Sequence, residues 1–317
     1  MIGSRGSQAD VPPLLRAREL TKRFTTRAGG GPLGRKSHFT AVDSVSFEVF
    51  PHETLALVGE SGSGKSTTAR LVAKLMEPTD GTIEFAGLDV TQARGPDLAR
   101  FRNDVQVVFQ DPFSSLNPRH TVERILTAPL IYQGLPIPGG RRAFAGELME
   151  RVGLNPDHLH RYPAQFSGGQ AQRIGIARAL AVAPKLVICD EAVSALDVSV
   201  QAQVMDLLLR LQRESGFSYL FIAHDLAVVR RISHRIAVMK QGIIVESGPC
   251  AEVFEHPRDP YTRTLLAAIP RIDPEWDRRR REGAAPPGEP PAATGSRGGS
   301  APGPKPPSTT ASHEELL

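Results

Sequence analysis

Cysteine is scarce in this 317-residue chain: Cys189 and Cys250 are the only two, far apart and without metal-ligand spacing. That excludes a disulfide framework and suits a reducing compartment. Long apolar runs are also missing. No stretch approaches the roughly 18 to 20 apolar residues that a membrane-spanning helix needs, and Met1–Asp10 lacks the apolar core of a signal peptide. Any membrane connection is therefore expected to run through a partner. Nor does one charge sign dominate. Lys and Arg number 38 against 34 Asp and Glu, a net charge of +4 too small to single out nucleic acid or an anionic lipid surface. The 40% hydrophobic and 23% charged content is that of a soluble globular protein with ample material for a core.

What the chain does have is Gly59-Glu60-Ser61-Gly62-Ser63-Gly64-Lys65-Ser66-Thr67. It follows the apolar run Leu55–Val58 and precedes a helix-like segment, 68–76. Strand, glycine-rich loop and helix form the context that a GxxxxGK[ST] phosphate-binding loop requires. Its glycines let successive N–H groups turn toward an anion, and the helix N-terminus adds positive potential. Lys65 is then expected to reach the β- and γ-phosphates, and the Ser66 hydroxyl to ligate Mg²⁺.

Around this loop, short apolar strands alternate with helical patterns. Strands are expected over residues 14–24, 39–49, 82–85, 105–109, 186–189 and 219–223, with a hairpin at 236–245. Residues 25–36, containing Gly29-Gly30-Gly31, read as a flexible loop. Helices are expected over 168–182, 200–213 and 225–231. Such alternation argues for an α/β domain on a largely parallel sheet, interrupted by a helical insertion over about 111–165. Residues 1–13 read as a disordered lead, 14–270 as the folded domain and 271–283 as a basic segment carrying Arg278–Arg281. The last stretch, 284–317, has eight prolines and five glycines among its 34 residues and reads as a disordered tail.

Two further constellations narrow the class. Leu186–Cys189 leads into Asp190 and Glu191; a strand-end aspartate can hold Mg²⁺, and the adjacent glutamate can polarise an attacking water. Ser167-Gly168-Gly169-Gln170 opens a helix, with Ser167 at the N-cap and a second anion-seeking helix terminus behind it.

Together these motifs resemble the ATP-binding cassette ATPases. Ser167–Gln170 resembles the family's signature motif, Gln110 its glutamine loop, Ser194–Asp197 its D-loop, His224 its switch histidine, and Phe24 the aromatic that stacks on adenine, with Phe39 across the glycine-rich loop as the alternative. The resemblance implies a P-loop NTPase (RecA-like) core with an antiparallel β subdomain and an inserted α-helical subdomain. It also implies a head-to-tail dimer holding two ATP molecules with Mg²⁺, each between one chain's phosphate loop and the other's signature. Glu191, His224, Gln110 and Lys65 are the implied catalytic residues, and Ser66, Gln110 and Asp190 the implied metal contacts. Residues 59–67, Phe24, Ser167–Gln170 and Asp197 are the implied nucleotide contacts.

Three longer stretches, 110–118, 190–203 and 256–266, resemble the oligopeptide/dipeptide (and nickel) importer subfamily in its second ATPase-subunit branch. That implies a related, non-identical ATPase partner, two transmembrane permease subunits and, indirectly, an extracytoplasmic solute-binding protein, at the cytoplasmic face of the membrane and without nucleic acid. Members commonly continue into a cysteine-containing extension, whereas the Pro/Gly-rich tail here has no cysteine. The competing expectation is a soluble cassette ATPase acting on nucleic acid or a regulatory partner. Such proteins usually carry two cassettes or a long coiled-coil insertion, and neither is seen in this sequence.

Overall fold

Alternation along the apolar strands sets the architecture. In Thr54–Val58, Ala56 and Val58 enter one core while Leu55 and Leu57 enter another; Tyr219 and Phe221 separate from Leu220 and Ile222 in the same way. A strand with apolar residues on both faces must be covered on both sides. The computed structural model describes residues 11–28 and 35–268, and it covers one face of this sheet with helices and the other with a second sheet and two further helices, which contribute Leu71 and Phe101.

The chain runs β1 (Leu15–Ala28), β2 (Arg35–Val49), β3 (Thr54–Val58), α1 (Lys65–Val72), β4 (Asp80–Phe85), β5 (Leu88–Asp89), α2 (Gly95–Asp104) and β6 (Val105–Val108). A helical stretch follows: α3 (Pro112–Ser115), α4 (Val122–Tyr132) and α5 (Arg141–Arg151), then two short 3-10 turns. The order resumes with α6 (Gly168–Leu180), β7 (Leu186–Asp190), α7 (Val198–Ser215), β8 (Ser218–Ala223), α8 (Leu226–Ile232), β9 (Arg235–Lys240), β10 (Ile243–Pro249), α9 (Cys250–Glu255) and α10 (Pro260–Ala267). The larger sheet has the order β10-β9-β3-β8-β7-β6, parallel except for β10. The smaller one, β2-β1-β4-β5, is antiparallel. This is the α/β arrangement of a P-loop NTPase.

Parallel order has a functional consequence. The C-terminal ends of β3, β8, β7 and β6 lie along one edge of the sheet, and ligands of open α/β sheets bind at that edge. Gly59 follows β3, His224 follows β8, Asp190 ends β7, and Gln110 lies two residues past β6.

Some expectations need correcting. The strand expected to stop at Phe24 continues to Ala28, and β2 begins at Arg35, because Thr25–Ala28 pair antiparallel with His38–Arg35. The glycines at 29–31 drew the loop too wide; residues 29–34 lie outside the described residues. So do 1–10 and 269–317, which include the basic segment and the Pro/Gly-rich tail. The helix α2 and the short strand β5 were not anticipated.

Candidate functional site

Close packing accounts for the glycines of the phosphate loop. Gly59, Gly62 and Gly64 all have positive φ, the last at 105°. A Cβ on Gly59 would lie 2.1 Å from the Met239 carbonyl oxygen, and one on Gly64 2.4 Å from that of Ala41. Only glycine satisfies both backbone and space. Gly64 is also the N-cap of α1 and offers no side-chain cap, so the first-turn N–H groups are left for an outside acceptor. Lys65 is 4% exposed, and its Nζ donates to the carbonyls of Gly59 (2.8 Å) and Glu60 (2.7 Å). Burial pushes its pKa down, against the pull of Glu191, Asp190 and Glu60. The loop is thus an N–H-lined cradle with a buried cation, chemistry that fits a nucleotide polyphosphate.

Beside it stands the carboxylate pair. Ser66 Oγ donates to Asp190 Oδ1 at 2.8 Å. Burial pushes the Asp190 pKa up, opposed by that hydrogen bond and by Arg70 and Lys65. A hydroxyl and a carboxylate brought together from two elements form a donor set suited to Mg²⁺. Glu191 takes a left-handed φ of 50°, a conformation that costs a non-glycine residue on the order of 1 kcal/mol or more. Its backbone is held in it: the N–H donates to the Ile222 carbonyl at 3.1 Å, and its carbonyl accepts from Ser194 N (3.1 Å) and Oγ (2.9 Å). His224 Nδ1 lies 3.8 Å from Glu191 Oε2, in a cleft that also includes Ser194, Gln201 and Asp225. Gln110 is exposed, and its Nε2 donates to Ser194 Oγ at 3.3 Å. The glutamine and Glu191 therefore meet through one serine, a link the sequence reading did not identify.

The signature residues are arranged differently. Ser167 caps α6 in a reciprocal box: its Oγ accepts from Gln170 N (3.4 Å) while Gln170 Oε1 accepts from Ser167 N (3.1 Å). Both are exposed, and among the described residues neither has a hydrogen bond to the phosphate loop. Gly168 and Gly169 lie behind them, and a Cβ on Gly169 would come within 2.4 Å of Val200 Cγ1. Asp197 is exposed at the N-terminus of α7, next to Val198, which is 84% exposed.

Phe24 and Phe39 are directly cross-strand. Phe24 is half-buried with Lys22 Nζ 5.5 Å from its ring centroid, whereas Phe39 is 58% exposed. Cys189 is fully buried, and burial pushes its thiol pKa far up, as befits an inert core residue. Sequence reasoning also passed over Met239 and Tyr261, which contact the phosphate loop from β9 and α10.

Comparison with known proteins agrees with this geometry. The ABC transporter family profile matches residues 42–194, and that of the oligopeptide/dipeptide transporter C-terminal region matches 245–299. The glutathione import ATP-binding protein GsiA of Escherichia coli (strain K12) is 53% identical over 274 residues, 86% of this chain and 44% of that protein. Its counterpart in Salmonella typhimurium is 53% identical over 270 residues, 85% of this chain and 43% of the other. The chain thus spans less than half the length of these curated relatives. Among solved structures, a dimeric ATP-binding cassette in a post-hydrolysis state with ADP and Pi superposes with a TM-score of 0.64 at 28% identity, covering 74% of this chain and 98% of that one. For cbiO1 from Clostridium perfringens, part of an ABC transporter complex, the TM-score is 0.65 at 25% identity, covering 82% and 97%. Motifs, sheet edge and relatives converge on an ABC transporter ATPase domain over residues 42–194, followed over 245–299 by the C-terminal region of the oligopeptide/dipeptide transporters.

Proposed function

We propose that this chain is the ATP-hydrolysing subunit of a membrane importer for small peptides. The observation that carries the ATPase chemistry is the single sheet edge on which Lys65, Ser66 with Asp190, Glu191, His224 and Gln110 gather. The peptide class is supported by the match over residues 245–299 and by relatives named for glutathione import.

The residues divide the work by their chemistry. N–H groups of residues 61–67 and the Lys65 ammonium hold the phosphates, and Phe24 offers a face to adenine. Mg²⁺, held by Ser66 and Asp190 with Gln110 nearby, would neutralise charge developing on the phosphates. Glu191 takes the proton of the attacking water, and His224 steadies the γ-phosphate and that water. Since Ser167 and Asp197 face solvent, with Gly169 half-buried beside Ser167, these residues act on the phosphate held by a second cassette, identical or related. ATP then joins two cassettes, and hydrolysis with phosphate release separates them.

The helices between residues 111 and 165 begin directly after Gln110, so a change in its contacts reaches them first. Among the described residues no helix is long and apolar enough to cross a membrane, so solute passage belongs to permease partners reached through this segment. The test is co-purification of the chain with two multi-spanning permeases, followed by ATPase assay in vesicles with a peptide-loaded binding protein. Stimulated hydrolysis with peptide uptake supports the reading. A complex without permeases, or hydrolysis stimulated by nucleic acid instead, contradicts it.

A further inference from the structure

The phosphate loop is braced from the far end of the described chain. Tyr261, 9% exposed on α10, accepts at its hydroxyl from the backbone N–H of Glu60 at 3.0 Å, across 201 residues of sequence. Its ring lies 4.8 Å from Lys240 Nζ, an approach that favours a cation over an aromatic face. Several contacts fix where that tyrosine stands. Asp259 caps α10 by accepting from Tyr261 N at 2.8 Å. The Glu246 carboxylate accepts from the N–H groups of Arg258 (2.9 Å) and Asp259 (3.1 Å), tying the start of α10 to β10. On the neighbouring turn, Gly242 N donates to the Ser63 carbonyl at 2.9 Å and Asp43 N donates to the Gly242 carbonyl at 2.8 Å.

Glu60 is consequently held at both of its backbone groups. Its N–H is bound by Tyr261 and its carbonyl by Lys65 Nζ at 2.7 Å. The Tyr261 bond is spent on the N–H of Glu60, and within the loop Ser63 N also donates to the Glu60 carbonyl at 3.2 Å, so Glu60 is the point from which the cradle is shaped. We propose that Tyr261 is a positioning residue of the phosphate loop, through which the C-terminal region sets how tightly the nucleotide phosphates are held. It acts through Glu60 and Lys65 and touches no substrate. This rests on the ATP-site reading above and extends it to a residue outside the stretch matched by the cassette profile, 42–194. Residue 261 falls instead within the oligopeptide/dipeptide C-terminal match, 245–299.

The test is Tyr261→Phe in the full chain, which removes the hydroxyl and keeps the ring against Lys240. ATP and inorganic tripolyphosphate are titrated at equilibrium, and KM and kcat are read separately. The loss of one neutral hydrogen bond predicts about fivefold weaker binding. That weakening is expected for both ATP and tripolyphosphate, with a matching rise in KM, little change in kcat and at most a small fall in Tm. A merely structural role would lower Tm and leave the tripolyphosphate affinity of the folded protein in place. Wild-type affinities and KM in Tyr261→Phe overturn the link alone. Wild-type protein that binds neither ATP nor tripolyphosphate overturns the ATP site and the link together.

Discussion

The phosphate loop and the signature turn both place a glycine-rich segment at a helix N-terminus, yet they are built in opposite ways. The loop is bound from every side: β9 packs against Gly59, the Ala41 carbonyl presses on Gly64, Tyr261 holds Glu60, and Lys65 is buried beneath. Ser167 and Gln170, by contrast, satisfy only each other and face solvent, as does Asp197. A buried, over-determined loop is a finished half-site. An exposed, self-capped turn leaves its outer face open, and on the reading proposed above it meets the phosphate held by a second cassette.

Edits to the two regions should then fail in different ways. The largest effect is expected at Glu191, the carboxylate whose charge acts on Lys65 of the phosphate loop. Glu191→Gln should bind ATP normally while turnover drops by about 10³-fold, roughly 4 kcal/mol of barrier; steady-state ATPase assays check it, and near-normal turnover would contradict the assignment. Gly64→Ala comes next, since its Cβ meets a backbone carbonyl at 2.4 Å on a residue with φ of 105°. It should cost a few kcal/mol in stability and abolish nucleotide binding, read by thermal unfolding with and without ATP. An unperturbed Tm would show the loop to be less constrained than its packing indicates.

A smaller effect distinguishes the two aromatics. Phe24→Ala should weaken ATP binding severalfold, the scale of a single aromatic contact of about 1 kcal/mol, and leave tripolyphosphate binding unchanged. If Phe39→Ala produces that pattern instead, the adenine platform lies on β2. The smallest concerns the brace of the phosphate loop. Burial of the Glu246 carboxylate pushes its pKa up, but the neighbouring Thr262 hydroxyl, the hydrogen bonds from the Arg258 and Asp259 N–H groups and the Arg258 charge outweigh that and hold it below the ordinary value. A depressed carboxylate contributes stability above its unfolded pKa of about 4.3 and loses it as pH falls through the folded value. Glu246→Gln should therefore lower Tm slightly at pH 7, with the gap closing as pH drops through that range. A gap independent of pH would contradict this.

What could be read from sequence was local, and what was missed was distant. The phosphate loop, the run ending in Asp190-Glu191 and the capped start of α6 each carry their signal within ten residues, and the structure forms each one there. The extension of β1 to Ala28 depends on pairing with β2 across a glycine run, and no alternation in Thr25–Ala28 announced it. The Gln110–Ser194–Glu191 chain spans more than 80 residues and Tyr261–Glu60 spans 201. The stretch 256–266 was noticed as distinctive, but nothing in it says which backbone N–H its tyrosine meets. Asp259-Pro260 was a legible helix start that the sequence reading passed over.

The central claim is that a phosphate loop in one chain is completed by a signature turn in another, and it can be tested by mixing two disabled proteins. Lys65→Ala lacks the phosphate cation and keeps its signature; Ser167→Arg keeps its phosphate loop and blocks its signature. Each alone should show background hydrolysis. The equimolar mixture should recover activity, because the Lys65→Ala chain can lend its intact Ser167 to the other chain's phosphate loop at one composite site. Wild-type turnover by Ser167→Arg alone, or a mixture no more active than its components, would contradict the claim.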